Sequence, residues 1–143
     1  MSDLARARTL LNERGYTYVL VNGDDIVCGT ERGVKPLVAL ARSGRDFRSY
    51  AAADKTVGKA AALLYALLGV KEVYAKIMSE QAAAMCEKYG ICAEYGRLVP
   101  HIINRDGTGM CPMESAVSGI DEPLAALSAV EAALEKLPRG GKP

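Results

Sequence analysis

The residues best suited to chemistry stand between a short buried strand and an almost entirely apolar helix. The strand is expected at Tyr50–Ala53 and the helix at Val57–Leu68. A helix without a polar stripe is buried on most sides. The polar residues crowded beside its start are Asp54, Lys55, Thr56 and Lys59. Because polar groups at the carboxyl end of a strand are typical of ligand sites in open α/β sheets, we expect the functional site here.

This strand, turn and helix start invite comparison with a phosphate-binding loop. The loop motif needs G-x-x-x-x-G-K followed by Ser or Thr, whereas Ala53 replaces the first glycine and Ala60 follows Lys59. The general property survives without the motif, because the free N–H groups and the dipole at a helix start favour an anion. The alternative is that Asp54 only caps the helix through the N–H of Val57 and that the lysines are solvated.

A second cationic segment precedes the next helix. Arg32 and Lys35 follow the second predicted strand, and Pro36 suits the first turn of a helix. Loops of this kind converge on one edge of a right-handed α/β sheet, so Arg32 and Lys35 are expected to face Asp54–Lys59 across a crevice. The alternative is an ordinary polar helix start.

The third candidate is Cys111, at the start of a short predicted helix. A thiol at a helix start is activated as a nucleophile, and a cysteine with a nearby histidine, here His101, is the minimum for nucleophilic catalysis. Glu114 is expected to fold back onto the Cys111 N–H, with Asn104 and Arg105 close by in the sequence. The alternatives are a buried apolar thiol and a packed or surface histidine.

The elements that position these residues alternate along the chain. An amphipathic helix is predicted at Asp3–Arg14, and Asn22–Asp25 is a strong hairpin-turn sequence. Three helix–strand pairs follow, which indicates a mixed or parallel sheet with helices on both faces. We predict one domain over residues 1–143, with a core at about 16–119 and a last helix at about 122–137.

The composition excludes several function classes. The net charge is +1, with basic residues spread along the chain, so no nucleic-acid partner is indicated. No apolar run reaches the length of a membrane span and the N-terminus lacks a signal core, so we expect a cytoplasmic protein without a membrane partner. Cys28, Cys86 and Cys92 are assigned to the core, and neither disulfides nor a cysteine-rich zinc site are expected. Trp is absent, so tyrosines such as Tyr18 and Tyr65 are expected to fill the core.

Four segments carry a family resemblance. They are GVKPL (Gly33–Leu37), DKTVGKAAALLY (Asp54–Tyr65), GVKEVYA (Gly69–Ala75) and INRDGTGMCPME (Ile103–Glu114). They resemble an uncharacterised prokaryotic family, a domain of unknown function with a cytidine-deaminase-like fold. The resemblance implies a three-layer α/β/α architecture with a mixed sheet of about five strands, a β-hairpin followed by αβ units, and extra C-terminal helices. It implies no activity by itself.

The ligands of the zinc deaminases are missing where that fold would present them. Those enzymes hold zinc with an H-x-E motif at one helix start and P-C-x-x-C at the next. Here Gly33–Pro36 contains no His, Cys or Glu, and Asp54–Gly58 contains no cysteine. The single Cys111 does not restore three ligands. We therefore expect no zinc, no other cofactor, and no zinc-dependent deaminase activity.

The leading hypothesis is a site for a small phosphate-like or nucleotide-like anion at the two helix starts. Any chemistry would be metal-free, with Cys111 as nucleophile or Asp54 as acid/base. The expected binding residues are Arg32, Lys35, Lys55, Thr56, Lys59, Asn104, Arg105 and Glu114. Two alternatives stay open: a non-catalytic regulatory protein that has lost deaminase chemistry, and an assembly protein whose helix Leu124–Leu137 buries its apolar stripe in a second copy.

Overall fold

The computed structural model describes residues 1–103, 109 and 111–137. In chain order its elements are α1 (Asp3–Arg14), β1 (Tyr18–Asn22), β2 (Asp25–Gly29), α2 (Lys35–Arg42), β3 (Ala51–Val57), α3 (Lys59–Leu68), β4 (Glu72–Ser79), α4 (Glu80–Lys88), β5 (Cys92–Val99), α5 (Pro112–Ala116) and α6 (Pro123–Glu135). No helix in this described part of the chain is long and apolar enough to cross a membrane.

The five strands form one mixed sheet in the order β2-β1-β3-β4-β5. β1 pairs antiparallel with both β2 and β3, whereas β3, β4 and β5 run parallel to one another. The turn of the β1–β2 hairpin passes through Gly23, whose φ of 59° lies in the left-handed region that glycine adopts without a Cβ clash. The predicted α/β fold class, with a hairpin followed by αβ units and a sheet between helix layers, is confirmed.

The core is divided between the two faces of the sheet. α1 packs Leu4, Ala7 and Leu11 on one face, against side chains of β1, β3 and β4. The opposite face carries the larger cluster, in which α3 is central. Every residue of α3 from Ala60 to Tyr65 is buried, as expected for a helix that is apolar nearly all round.

β3 is longer than the sequence indicates. Asp54, Lys55 and Thr56 were expected in a turn, but they continue the strand, because Thr56 and Val57 still pair with Ile77 and Met78 of β4. α3 consequently begins at Lys59 and not at Val57. Lys55 therefore lies on the strand and is not part of the first turn of α3.

The apolar stripe of α6 is covered within its own chain. Ala126, Leu127 and Val130 are buried in the same core as α3, and α6 also packs against α5. Leu124, at the start of α6, remains exposed. Most of the surface on which the assembly alternative depended is thus packed within the chain.

Candidate functional site

A cavity of about 360 Å³ opens where the start of β1 and the end of β3 meet the starts of α2 and α5. One part of its wall is apolar and consists of Val34, Leu37, Ala61, Ile102 and Met113. Its polar side chains include Tyr18, Arg32, Asp54, Lys55, Cys111 and Glu114. The two cationic segments and the cysteine, which are far apart in sequence, therefore border one space.

The strand register places Tyr18 beside Asp54 at the base of this cavity. Tyr18 lies opposite Gly29 in the β1–β2 pair and opposite Asp54 in the β1–β3 pair. A Cβ on Gly29 would stand 2.6 Å from the Tyr18 hydroxyl oxygen, so the ring occupies space that only glycine leaves open. Burial also raises the pKa of Tyr18, so its hydroxyl stays protonated to a higher pH than that of an exposed tyrosine.

Asp54 accepts a hydrogen bond from a buried tyrosine. The Tyr65 hydroxyl donates a hydrogen bond of 2.6 Å to Oδ2, and the Thr56 N–H donates one of 3.2 Å to Oδ1. Burial raises the pKa of Asp54 to about 7, although these hydrogen bonds oppose the rise. The pKa of Tyr65 is raised well above its usual value by burial and by the adjacent Asp54 charge. Asp54 can therefore exchange a proton near neutral pH.

The start of α3 is capped by Glu114, from a different part of the chain. Its Oε1 accepts the Lys59 N–H at 2.7 Å, and its Oε2 accepts the Ala60 N–H at 2.9 Å. The expected return of Glu114 to the Cys111 N–H is wrong, because that N–H donates to the Ile102 carbonyl. Asp54 does not cap α3 either, since its carboxylate binds Thr56 and Tyr65.

The close approach of Glu114 explains the glycine before α3. A Cβ on Gly58 would lie 2.4 Å from Glu114 Oε1 and 2.5 Å from its Cδ. The Gly58 φ of −96° is ordinary for any residue, so crowding, not backbone strain, requires glycine here. The DKTVGK and CPME segments are thus joined by one carboxylate that fills the anion position of α3.

Two of the predicted cations lie away from the cavity. Lys59 Nζ forms an ion pair of 2.7 Å with Asp121 and donates to the Val117 carbonyl, with only 14% of its side chain exposed. The partners on α5 and the following turn draw the ammonium to the other side of the helix start. Lys35 is the first residue of α2, exposed and outside the cavity wall.

The remaining predicted cations, Arg32 and Lys55, both border the cavity, together with Thr56. Both cations are exposed, and within residues 1–103, 109 and 111–137 neither side chain has a hydrogen-bond or ion-pair partner. Asn104 and Arg105 lie outside the described residues. The structure thus brings Arg32, Lys55 and Asp54 to one space, where the cations are available for a further contact.

Cys111 and His101 line different cavities. Cys111 is half-buried in the wall of the 360 Å³ cavity. His101 borders a second cavity of about 230 Å³ with Lys59 and Gln81, and its Nδ1 lies 3.3 Å from Gln81 Nε2. The cysteine–histidine pair considered from the sequence is therefore not assembled, and Cys111 shares its cavity with Asp54 instead.

Sequence reasoning assigned two site tyrosines, Tyr18 and Tyr65, to packing alone. A signal for Tyr18 was present: extending the Asn22–Asp25 hairpin pairing outward places Tyr18 opposite Gly29, an aromatic ring over a glycine. Tyr65 carried no comparable signal, because its contact with Asp54 depends on how α3 crosses the sheet.

The residues at the two helix starts do not suit the zinc ion of deaminases. Val34, Lys35 and Pro36 open α2 without a metal-ligating side chain, and the two carboxylates that border the cavity in the described residues, Asp54 and Glu114, already accept hydrogen bonds from the protein. In the described part of the chain no three His, Cys, Asp or Glu side chains are grouped as metal ligands.

Comparison with known proteins gives a family but no activity. Residues 6–134 match the domain of unknown function DUF1893. The crystal structure of a DUF1893 family protein from Thermotoga maritima superimposes with a TM-score of 0.82 at 27% identity, covering 96% of this chain and 92% of that one. No curated protein sequence matches the chain. The chain belongs to the DUF1893 family, as the resemblance to a domain of unknown function predicted.

Proposed function

We propose that this member of the DUF1893 family binds a small anionic molecule in the 360 Å³ cavity and exchanges a proton with it through Asp54. The observation that carries the proposal is a pair of cations, Arg32 and Lys55, that have no partner among the described residues and that border a cavity containing a titratable carboxyl group. The volume lies in the usual range for small-molecule sites, roughly 300–1,000 Å³.

The start of α2 supplies the proposed anion position. Val34 is its N-cap and provides no capping side chain, and the first turn contains no acidic residue. Gly33 and Val34 both border the cavity beside Arg32. Pro36, in the first turn, has no N–H to donate, but the other free N–H groups of the helix start favour an anion, and two nearby cations strengthen that preference. At α3, by contrast, Glu114 already occupies the equivalent position.

Asp54 is the proposed acid/base group and Cys111 the proposed nucleophile. A carboxyl group with a pKa of about 7 is present in both protonation states near neutral pH, which suits proton transfer. Cys111 borders the same space, so a bound molecule contacts both groups. This arrangement supports metal-free chemistry on an anionic substrate.

The fold proposed for the chain is the cytidine-deaminase-like one, without the deaminase zinc. The antiparallel hairpin at one edge followed by three parallel strands with intervening helices supports this assignment. Zinc ligands would be expected at the starts of α2 and α3. Instead, the start of α2 borders the proposed anion site, and the start of α3 is capped by Glu114. A fold alone assigns no reaction.

Thermal unfolding in the presence of inorganic phosphate, nucleoside monophosphates and small carboxylates tests the proposal. A ligand at one hundred times its Kd adds about 2.7 kcal/mol to the free energy of unfolding and raises the Tm by several degrees. Replacing both cavity cations, Arg32→Gln with Lys55→Gln, is expected to abolish that rise. The matched control, Arg97→Gln with Lys76→Gln, also removes one exposed arginine and one exposed lysine charge, both outside the cavity wall, and is expected to preserve it.

Thiol alkylation locates the ligand independently. A bound anion is expected to slow iodoacetamide labelling of Cys111 and to leave labelling of Cys92 unchanged, because Cys92 is exposed on β5 and outside the cavity. Mass spectrometry of the two peptides measures both rates in one sample. If no anion raises the Tm, or if the two cationic double variants respond alike, the proposed function is wrong.

A further inference from the structure

We propose that the ligand is bipolar: it carries an N–H donor group that binds Asp54 and, across an apolar middle part, the anionic group that binds Arg32 and Lys55. This inference rests on the proposed function and deepens it, because it assigns the other end of the same ligand. It concerns a class of molecule, an amino- or amidino-substituted ring or chain with a phosphate or carboxylate group.

The carboxylate of Asp54 has acceptor capacity that the protein does not use. Two carboxylate oxygens offer about four acceptor positions. The hydrogen bonds that Asp54 accepts come from the Tyr65 hydroxyl to Oδ2 and from the Thr56 N–H to Oδ1, whereas the Lys55 N–H donates to the Thr17 carbonyl. A further donor is therefore accommodated, and the cavity is the side from which it can arrive.

The cavity separates its two kinds of charge by depth. Arg32 and Lys55 are exposed, whereas Asp54 is mostly buried beside Tyr18 and above Tyr65. The apolar part of the wall includes side chains such as Val34, Leu37 and Met113, which offer no hydrogen bond. A purely anionic ligand would leave the remaining acceptor capacity of Asp54 unused and would place a second negative charge near its carboxylate. A ligand with a donor at its inner end satisfies both ends at once.

Three para-substituted benzoates test this inference by titration calorimetry on the whole chain. Para-methylbenzoate is the reference without a donor, para-aminobenzoate replaces the methyl group by a neutral N–H donor of similar size, and para-amidinobenzoate provides a cationic donor. At pH 8.5 we expect the amidino compound to bind at least about tenfold more tightly than the methyl compound, with the amino compound between them. In Asp54→Asn the three affinities are expected to converge within about twofold.

The pH dependence of ligand affinity in the wild-type protein provides the second measurement. The advantage of para-amidinobenzoate over para-methylbenzoate is expected to grow between pH 5.5 and 8.5, as Asp54 ionises. The other ionisable groups bordering the cavity are Tyr18, Arg32, Lys55, Cys111 and Glu114, with Tyr65 beneath Asp54. Their effect on the carboxylate end is common to both compounds and cancels in the ratio, whereas an effect on the amidino group does not cancel. Growth of the ratio that persists in Cys111→Ser and is lost in Asp54→Asn assigns the effect to Asp54.

The failures of the two proposals are distinguishable. Equal binding of the methyl and amidino compounds at pH 8.5 overturns the inference. If none of the three benzoates binds while inorganic phosphate still binds in a manner that depends on Arg32 and Lys55, the inference is wrong and the proposed function stands. If phosphate fails as well, both are wrong.

Discussion

Two helix starts border the same cavity and differ in how their free N–H groups are used. At α3, the N–H groups of Lys59 and Ala60 donate to the Glu114 carboxylate, which the chain itself supplies. At α2, the N-cap Val34 offers no side-chain acceptor, and the nearest charged side chain on the cavity wall is the cation Arg32. One start has an internal anion and the other has a place for an external one.

This difference between the two helix starts predicts that α3 contributes to stability and α2 to ligand binding. An anion supplied by the chain is permanent, so Glu114 ties α5 to α3 and shapes the cavity wall. An anion supplied by a ligand is exchangeable, so the α2 start remains open when the ligand is absent. Changes at α3 should therefore appear in folding measurements, whereas changes at α2 should appear in binding measurements.

The largest expected effect belongs to Asp54, on the strand between the two helix starts. Its pKa is about 7 in the folded protein against 3.8 as the ordinary value, so between these pH values the unfolded chain loses the proton first. The free energy of unfolding should fall as pH rises from about 4 to 7 and stay constant above that. The fall is about 1.4 kcal/mol for each unit by which the folded pKa exceeds the unfolded one. Asp54→Asn removes this slope, so the variant should be more stable than the wild type at pH 8 by a few kcal/mol and similar near pH 4.

Guanidinium unfolding at several pH values measures this difference. Asp24→Asn, an exposed change in the hairpin turn, serves as the control and should give a curve parallel to that of the wild type. Parallel curves for Asp54→Asn and the wild type would show that the carboxyl group is solvated, and the cavity would then be as open at its base as at its mouth.

Local patterns predicted the fold well and the site in part. The hairpin followed from Asn22–Asp25, and the buried helix followed from its apolar residues, because both depend on neighbours in the chain. Glu114 caps α3 across a sequence separation of 54 positions to Ala60 and 55 positions to Lys59, and no local pattern specifies such a contact. Lys59 illustrates the same limit: the sequence placed it beside the start of the helix, but its ion pair with Asp121 directs the ammonium away from the cavity.

The second prediction removes the internal anion at α3. Glu114→Ala eliminates two hydrogen bonds to backbone N–H groups and leaves the helix start without a cap, at an expected cost of about 2 kcal/mol in the free energy of unfolding. Glu80→Gln is the matched control, since Glu80 is an exposed acidic residue in the first turn of α4 and should change stability by less than about 0.5 kcal/mol. Equal effects of the two variants in urea unfolding would contradict the capping role.

The third prediction is that glycine is required at position 58 because a larger side chain would collide with the Glu114 carboxylate. Gly58→Ala should displace Glu114 and destabilise the protein by about 1–2 kcal/mol, somewhat less than Glu114→Ala because alanine restricts the unfolded chain. In the Glu114→Ala background the same change should cost almost nothing, since the crowding atoms are gone. The coupling energy of this double-mutant cycle is the measurement, and additivity of the two changes would refute the explanation.

The smallest expected effect compares the cations of the two helix starts. Lys59→Gln breaks the ion pair between the mostly buried Lys59 and the half-exposed Asp121, and removes the hydrogen bond to the Val117 carbonyl, so it should destabilise the fold by about 1 kcal/mol without changing phosphate affinity. Arg32→Gln touches an exposed side chain without a partner in the described residues, so its stability should stay within about 0.5 kcal/mol of the wild type while phosphate affinity falls. Urea unfolding and phosphate titration of both variants give four values. If Arg32→Gln weakens folding and Lys59→Gln weakens binding, the two helix starts have been assigned the wrong way round, because the exchangeable anion would then belong to α3.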